Sequence, residues 1–155
     1  MPAKKLKEFL DMNHVKYVAI RHSAAYTAQE IAALVHIRGK ELAKTVMVKV
    51  DGKIAMAVLP ASHKVDTGLL KAAAGAESLA LAPEAEFKGL FPDCEAGAMP
   101  PFGNLYGMSV FVDTTLTKDD EIAFNAGSHS ELIRMAYRDF EQLVRPAVAA
   151  FSAER

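Results

Sequence analysis

The chain has 155 residues, 51% of them hydrophobic, with a formal net charge of −1 and a single cysteine, Cys94. That length suits one domain with its own core, because folding at this size buries about two-thirds of the surface an unfolded chain exposes. No apolar run nears the roughly 20 residues that span a bilayer, no hydrophobic signal core follows the N-terminal lysines, and one cysteine excludes an intrachain disulfide and cysteine-rich zinc patterns, so a soluble, cytoplasmic protein is expected.

Leu6, Phe9 and Leu10, at i, i+3 and i+4, predict an amphipathic helix over residues 3–13, and Val15 to Arg21 reads as a short strand. Thr27-Ala28-Gln29-Glu30 is a capping box that predicts a second helix to about His36, with Gly39 ending it. Residues 43–50 and 53–60 are rich in Val, Ile, Met and Ala, and the Asp51-Gly52 pair between them suits the type I′ turn of a two-residue hairpin. Alternation puts Lys44 on the face of Val46, Val48 and Val50, with Thr45, Met47 and Lys49 on the other.

Asp66 is placed to cap a helix through Ala74 that Gly75 stops, Leu79 to Leu81 gives a strand, and Pro83 at a first helical position starts a short helix to about Leu90. Phe91 to Tyr106 holds three prolines and no periodicity, and reads as the long loop of the domain. Gly107 to Asp113 and Glu121 to Asn125 read as strands around a polar turn at residues 117–120. Ser128-His129-Ser130-Glu131 fits a capping box, yet Ile133, Met135 and Tyr137 alternate with Arg134 and Ala136. A strand over 131–137 is preferred, then a helix from about Arg138 to Val144 and a terminal helix after Pro146. The expected class is α+β: a single domain over residues 1–155 with a mixed, mostly antiparallel, curved and barrel-like central sheet flanked by helices.

Two features carry chemistry. In Gly97-Ala98-Met99-Pro100-Pro101-Phe102-Gly103, two prolines fix φ and remove donors while glycines stand at either end, so the loop holds its backbone in a set shape. Ala98 and Met99 keep their N–H groups and could form an oxyanion hole; a stiff surface loop closing over a core is the plainer reading. Lys44, where an apolar strand begins, could be a point charge for a phosphate or carboxylate, or an ammonium stabilising an oxyanion; a solvated edge lysine is the alternative. His129, just after the Asn125-Ala126-Gly127 turn, could serve as acid, base or substrate positioner, though a loop histidine is often only solvated.

Residues 1–71 carry twelve Lys and Arg against six Asp and Glu, and residues 72–155 carry six against thirteen. A basic face built from the first half would attract a phosphate backbone; solvated faces of mixed sign are the alternative. Cys94 reads as a small hydrophobe or inert thiol rather than a nucleophile. There is no phosphate-binding P-loop, no Gly-x-Ser-x-Gly elbow, no helical histidine metal motif and no interleaving of aromatic with basic residues.

Ala43-Lys44-Thr45-Val46-Met47-Val48, Ala57-Val58-Leu59-Pro60-Ala61, the Gly97–Gly103 loop, Val112-Asp113 and Asn125-Ala126-Gly127-Ser128-His129 together resemble the YbaK family, which includes the editing domain inserted in bacterial prolyl-tRNA synthetases. The resemblance runs from about His22 to Phe140 with all five elements in order. It implies hydrolysis of the ester that joins a wrong amino acid to a tRNA 3′ end, carried out in trans by free-standing members, with no metal or organic cofactor. By resemblance Lys44 holds the substrate and Gly97, Ala98 and Met99 complete the catalytic set. Tyr26, Thr45, Pro100, Pro101, Phe102, Gly103, Asn125, Gly127, Ser128 and His129 are the substrate-binding set.

The partners implied are aminoacyl-tRNA, through its 3′ aminoacyl-adenosine, and a synthetase. Ala, Cys, Ser and Thr stay open as the amino acid removed, with Met47, Met56, Met99 and His129 as candidates for setting pocket volume. Proline tRNA is favoured by family analogy. Two readings from other classes stand beside this one: a nucleotide or tRNA 3′-end binding module without turnover, and a protein-interaction module using the terminal helix.

Overall fold

The computed structural model describes residues 4–21, 42–95 and 97–154; Tyr26 and the helix expected after Thr27 lie outside them. Helix α1, Lys4–Met12, turns Leu6 and Leu10 inward as their spacing requires. Strand β1, Tyr17–Arg21, pairs antiparallel with β8, Glu131–Ala136, which pairs antiparallel with β7, Glu121–Asn125. The hairpin forms as expected from β2, Ala43–Val50, and β3, Lys53–Pro60, with Asp51 at φ 50° and Gly52 at φ 84°, the values a type I′ turn needs.

A five-stranded sheet grows around that hairpin. Its order is β5-β2-β3-β6-β9, with β5 at Leu79–Leu81, β6 at Val110–Asp113 and β9 at Ala147–Ala149. The β3–β6 and β6–β9 pairings are parallel and the others antiparallel. Helix α2, Thr67–Ala74, is capped by Asp66, whose carboxylate accepts the Leu69 N–H at 3.0 Å, and ends at Gly75 in the left-handed region. Helix α3, Glu84–Phe87, has Pro83 at its cap and continues as a 3-10 turn through Leu90. Helix α4, Tyr137–Val144, follows β8 directly.

The sheet is buried on both faces, which is why β3 reads as a continuous apolar run. Met56 and Val58 join α1, the other large sheet and α4 in one cluster, while Ala55, Ala57 and Leu59 pack with Leu70 of α2 and Phe151 in a second. The expected barrel is not formed. Among the described residues, ten strands lie in three hydrogen-bonded sheets, and β5 and β9 end as opposite edges of the largest. Among the described residues, a parallel bridge from Leu42 to Ala123 joins the backbones of the two large sheets, whose side chains share the first cluster.

The helix expected after Pro146 is also corrected: the chain there forms β9 and then β10, Ser152–Glu154, which pairs with β4, His63–Val65. The reason is a tertiary acceptor. Buried Asp113 takes the N–H groups of Phe151 and Ser152 through Oδ1, at 2.9 and 3.0 Å, while Oδ2 takes the N–H and hydroxyl of Thr115. Backbone donors captured this way, with Phe151 fully buried, outweigh the weak helix preference of a short tail.

Burial pushes the Asp113 carboxyl up, but the hydrogen bonds from Thr115, Phe151 and Ser152 outweigh it and hold its pKa below the ordinary value. A carboxyl lowered on folding stabilises the native state above its unfolded pKa of about 3.9, and that contribution is lost as pH falls through the folded value. Asp113→Asn is therefore expected to lower the melting temperature at pH 7, with the gap from the parent protein closing below about pH 4. A gap that stays constant from pH 7 to pH 2 would show that the carboxylate charge is not what holds the tail.

Candidate active site

The site is assembled where the two large sheets meet. From the Leu42–Ala123 bridge β2 and β7 run in the same direction, so Lys44 and Asn125 each lie two residues on, on the same face as the bridge. Lys44 is partly buried there. Asn125 ends β7 and opens the turn to His129, in which Gly127 has φ 95° and the Ser128 hydroxyl accepts the Ser130 N–H at 3.1 Å.

Backbone hydrogen bonds fasten this turn to the start of the glycine-proline loop. Gly127 donates to the Ala98 carbonyl at 2.9 Å, and Glu95 donates to the Gly127 carbonyl at 2.8 Å. The Glu95 carboxylate accepts the His129 N–H at 2.6 Å. Gly97 has φ 80°, and a Cβ there would lie 3.5 Å from His129 Cε1, so the imidazole packs against the Gly97 backbone. Lys44, Asn125, Gly127, Ser128, His129 and the Gly97–Ala98 segment thus form one neighbourhood.

Other expected site residues are placed elsewhere. Ala98 is fully buried and its N–H is committed to the Glu95 carbonyl at 3.1 Å, so it does not offer an amide to a ligand. The N–H groups of Gly97 and Met99 have no acceptor among the described residues. Phe102 is a core residue whose ring packs against Phe9, Phe124 and Phe140, and Pro100, Pro101 and Gly103 are buried beside it. A Cβ at Gly103 would lie 2.7 Å from Val110 Cγ2 and 2.9 Å from the Met108 carbonyl oxygen, so only glycine fits that close approach.

Thr45 lies on the β2 face opposite Lys44. Met47, Met56 and Met99 are buried in the first core cluster with Phe102, leaving His129 as the exposed member of the four pocket-volume candidates. Lys44 is linked to the loop through the β2–β7 bridge and the turn that follows Asn125.

Burial, reinforced by Asp93, pushes the Cys94 thiol up against the opposing influence of the Tyr106 hydroxyl 3.7 Å away. Among the described residues, no three His, Cys, Asp or Glu side chains converge as metal ligands. Glu95 was not singled out from sequence. A glutamate two residues before a glycine has no motif, and only the folded contact with residue 129 reveals it.

Fold and site together define an α+β domain in which a partly buried lysine at a sheet junction stands beside a loop held in place by backbone hydrogen bonds. The family model for the aminoacyl-tRNA editing domain matches residues 22–143, and the chain belongs to that family. The multifunctional Ser/Thr-tRNA deacylase ProXp-y of Escherichia coli K12 is 28% identical over 156 residues, covering 96% of this chain and 91% of that protein. A proline–tRNA ligase of Bacillus mycoides is 28% identical over 85 residues, 55% of this chain and 15% of the ligase. A solved structure described as a candidate trans-editing enzyme for prolyl tRNA synthetase superimposes with a TM-score of 0.84 at 20% identity, covering 98% of this chain and 97% of that one, which fixes the fold. Aminoacyl-tRNA editing is the function of this chain.

Proposed function

We propose that the editing is carried out by hydrolysis in trans, on a proline-type tRNA whose 3′ end carries a small wrong amino acid: Ala, Cys, Ser or Thr. The observation that supports the reading is the fastening of the Asn125–His129 turn to the Gly97–Ala98 backbone, with Lys44 two residues along β2 from the bridge to β7. An alignment running nearly the whole length of a Ser/Thr-tRNA deacylase supports the reaction, and the partial match to a proline–tRNA ligase supports the tRNA.

In this mechanism Lys44 fixes the negatively charged 3′ end and His129 borders the amino-acid side chain. The N–H groups of Gly97 and Met99 polarise the ester carbonyl, with Ala98 contributing its carbonyl to the turn instead of its amide to the substrate. Water, assisted by the neighbouring ribose hydroxyl, adds to the carbonyl carbon. The ester C–O bond breaks and its oxygen takes a proton, releasing the free amino acid and the tRNA hydroxyl. No cofactor is required. No described helix is long and apolar enough to cross a membrane, and a cytoplasmic enzyme working beside a synthetase fits the substrate.

The test is a deacylation panel of proline tRNA and alanine tRNA, each charged with Ala, Cys, Ser, Thr and Pro. Release of at least one small wrong amino acid and retention of proline on proline tRNA are expected. A pocket separates neighbouring small side chains by about 1–3 kcal/mol per methylene, so preferences of roughly 10- to 200-fold should appear within the panel. Binding of tRNA without release from any member would make the chain a 3′-end binding module instead.

A further inference from the structure

We infer that Glu95 is a positioning residue that locks His129 against the Gly97 backbone and thereby sets which amino-acid side chain the site accepts. The inference rests on the proposed role of His129 at the amino-acid pocket and extends it to a residue that touches no substrate. Glu95 reaches the turn twice. Its own N–H donates to the Gly127 carbonyl at 2.8 Å, and its carboxylate accepts the His129 N–H at 2.6 Å, 34 residues away in the chain.

With the Gly127 N–H bound to Ala98, the two strands of this junction are held at three points around the one residue whose side chain faces Gly97. The imidazole lies at contact distance from where a Cβ of residue 97 would stand, and the φ of 80° there is a conformation other residues rarely adopt. The backbone of residue 129 sets where the imidazole starts from, and the Glu95 carboxylate helps to hold that backbone. A glutamate here supplies a carboxylate acceptor for the His129 N–H on a side chain long enough to cross between two loops.

The experiment compares Glu95→Ala with Glu95→Gln in the full chain, reading kcat/KM over the aminoacyl-tRNA panel and hydrogen exchange at the His129 amide. Alanine removes the acceptor, and glutamine keeps a carbonyl oxygen in the same place. Glu95→Ala should speed exchange at His129 and change the ratio of kcat/KM between the best and second-best amino acids by roughly tenfold, as loss of a hydrogen bond to a charged group does at an exposed site. Glu95→Gln should restore both readouts to within roughly threefold of the parent protein.

Faster exchange with an unchanged substrate ratio would reduce Glu95 to a structural brace and overturn the inference, as would unchanged exchange in Glu95→Ala. A parent protein that releases no amino acid from any charged tRNA would sink the deacylase reading and the selectivity claim with it. The exchange comparison would still decide whether the clamp exists.

Discussion

Lys44→Ala is expected to lower deacylation roughly 10²- to 10³-fold while leaving the protein folded, an effect of the size seen when one preorganised charge-stabilising group is removed. The residue stands second in β2, partly buried, and is not one of the apolar side chains that build the three cores. Its neighbour across the hairpin, Leu59, and the residues on either side in β2 keep their backbone pairing whatever side chain stands there. A lysine whose backbone is fixed in β2 near Asn125 would contribute to rate by orienting the 3′ end of a substrate. Single-turnover release of the amino acid, measured with a thermal melt of the same variant, checks both halves. Undiminished release would take the lysine out of the mechanism.

The second large effect is on stability. Phe102→Ala is expected to cost about 3–5 kcal/mol, the usual range for deleting a buried phenylalanine, out of the roughly 5–15 kcal/mol that hold a domain together. Phe102 is completely buried, with ring centroids 5.4 Å from Phe140, 5.6 Å from Phe124 and 6.2 Å from Phe9, so it ties α4, β7 and α1 to the loop. The melting temperature should fall by roughly 6–20 °C. Activity measured below that melt should fall as well, because Phe102 anchors the far end of the segment whose near end carries the Gly97 and Met99 amides. A loss below about 1 kcal/mol in urea unfolding would mean that the loop is held by its prolines and turn bonds instead.

Much of the local structure was legible because its causes are local. Asp51-Gly52 has few alternatives to a tight hairpin turn, and Asp66 and Gly75 bracket α2 through hydrogen bonds that span three or four residues. The alternation of Ile133 and Met135 with Arg134 overrode the capping-box pattern at Ser128. In the structure the Ser128 hydroxyl serves the Ser130 N–H of a turn, not a helix. The tail after Pro146 misled for the opposite reason: its strands exist because Asp113 and β6, more than 30 residues earlier, accept and pair with it.

The same division runs through the site. The order of Lys44, the Gly97–Gly103 loop and the Asn125–His129 turn along the chain was enough to indicate the family, since motif residues keep their identity whatever lies between them. Residue types also determined that the loop would be stiff and that Lys44 would enter a sheet. Tertiary structure alone decided that a carbonyl at Glu95 takes the Ala98 donor. It also put Phe102 in the core, made Glu95 a partner of His129, and split into separate sheets what was expected to be one curved, barrel-like sheet. Each of these depends on contacts between residues far apart in the chain, whose hydrogen-bond and packing partners no local pattern encodes.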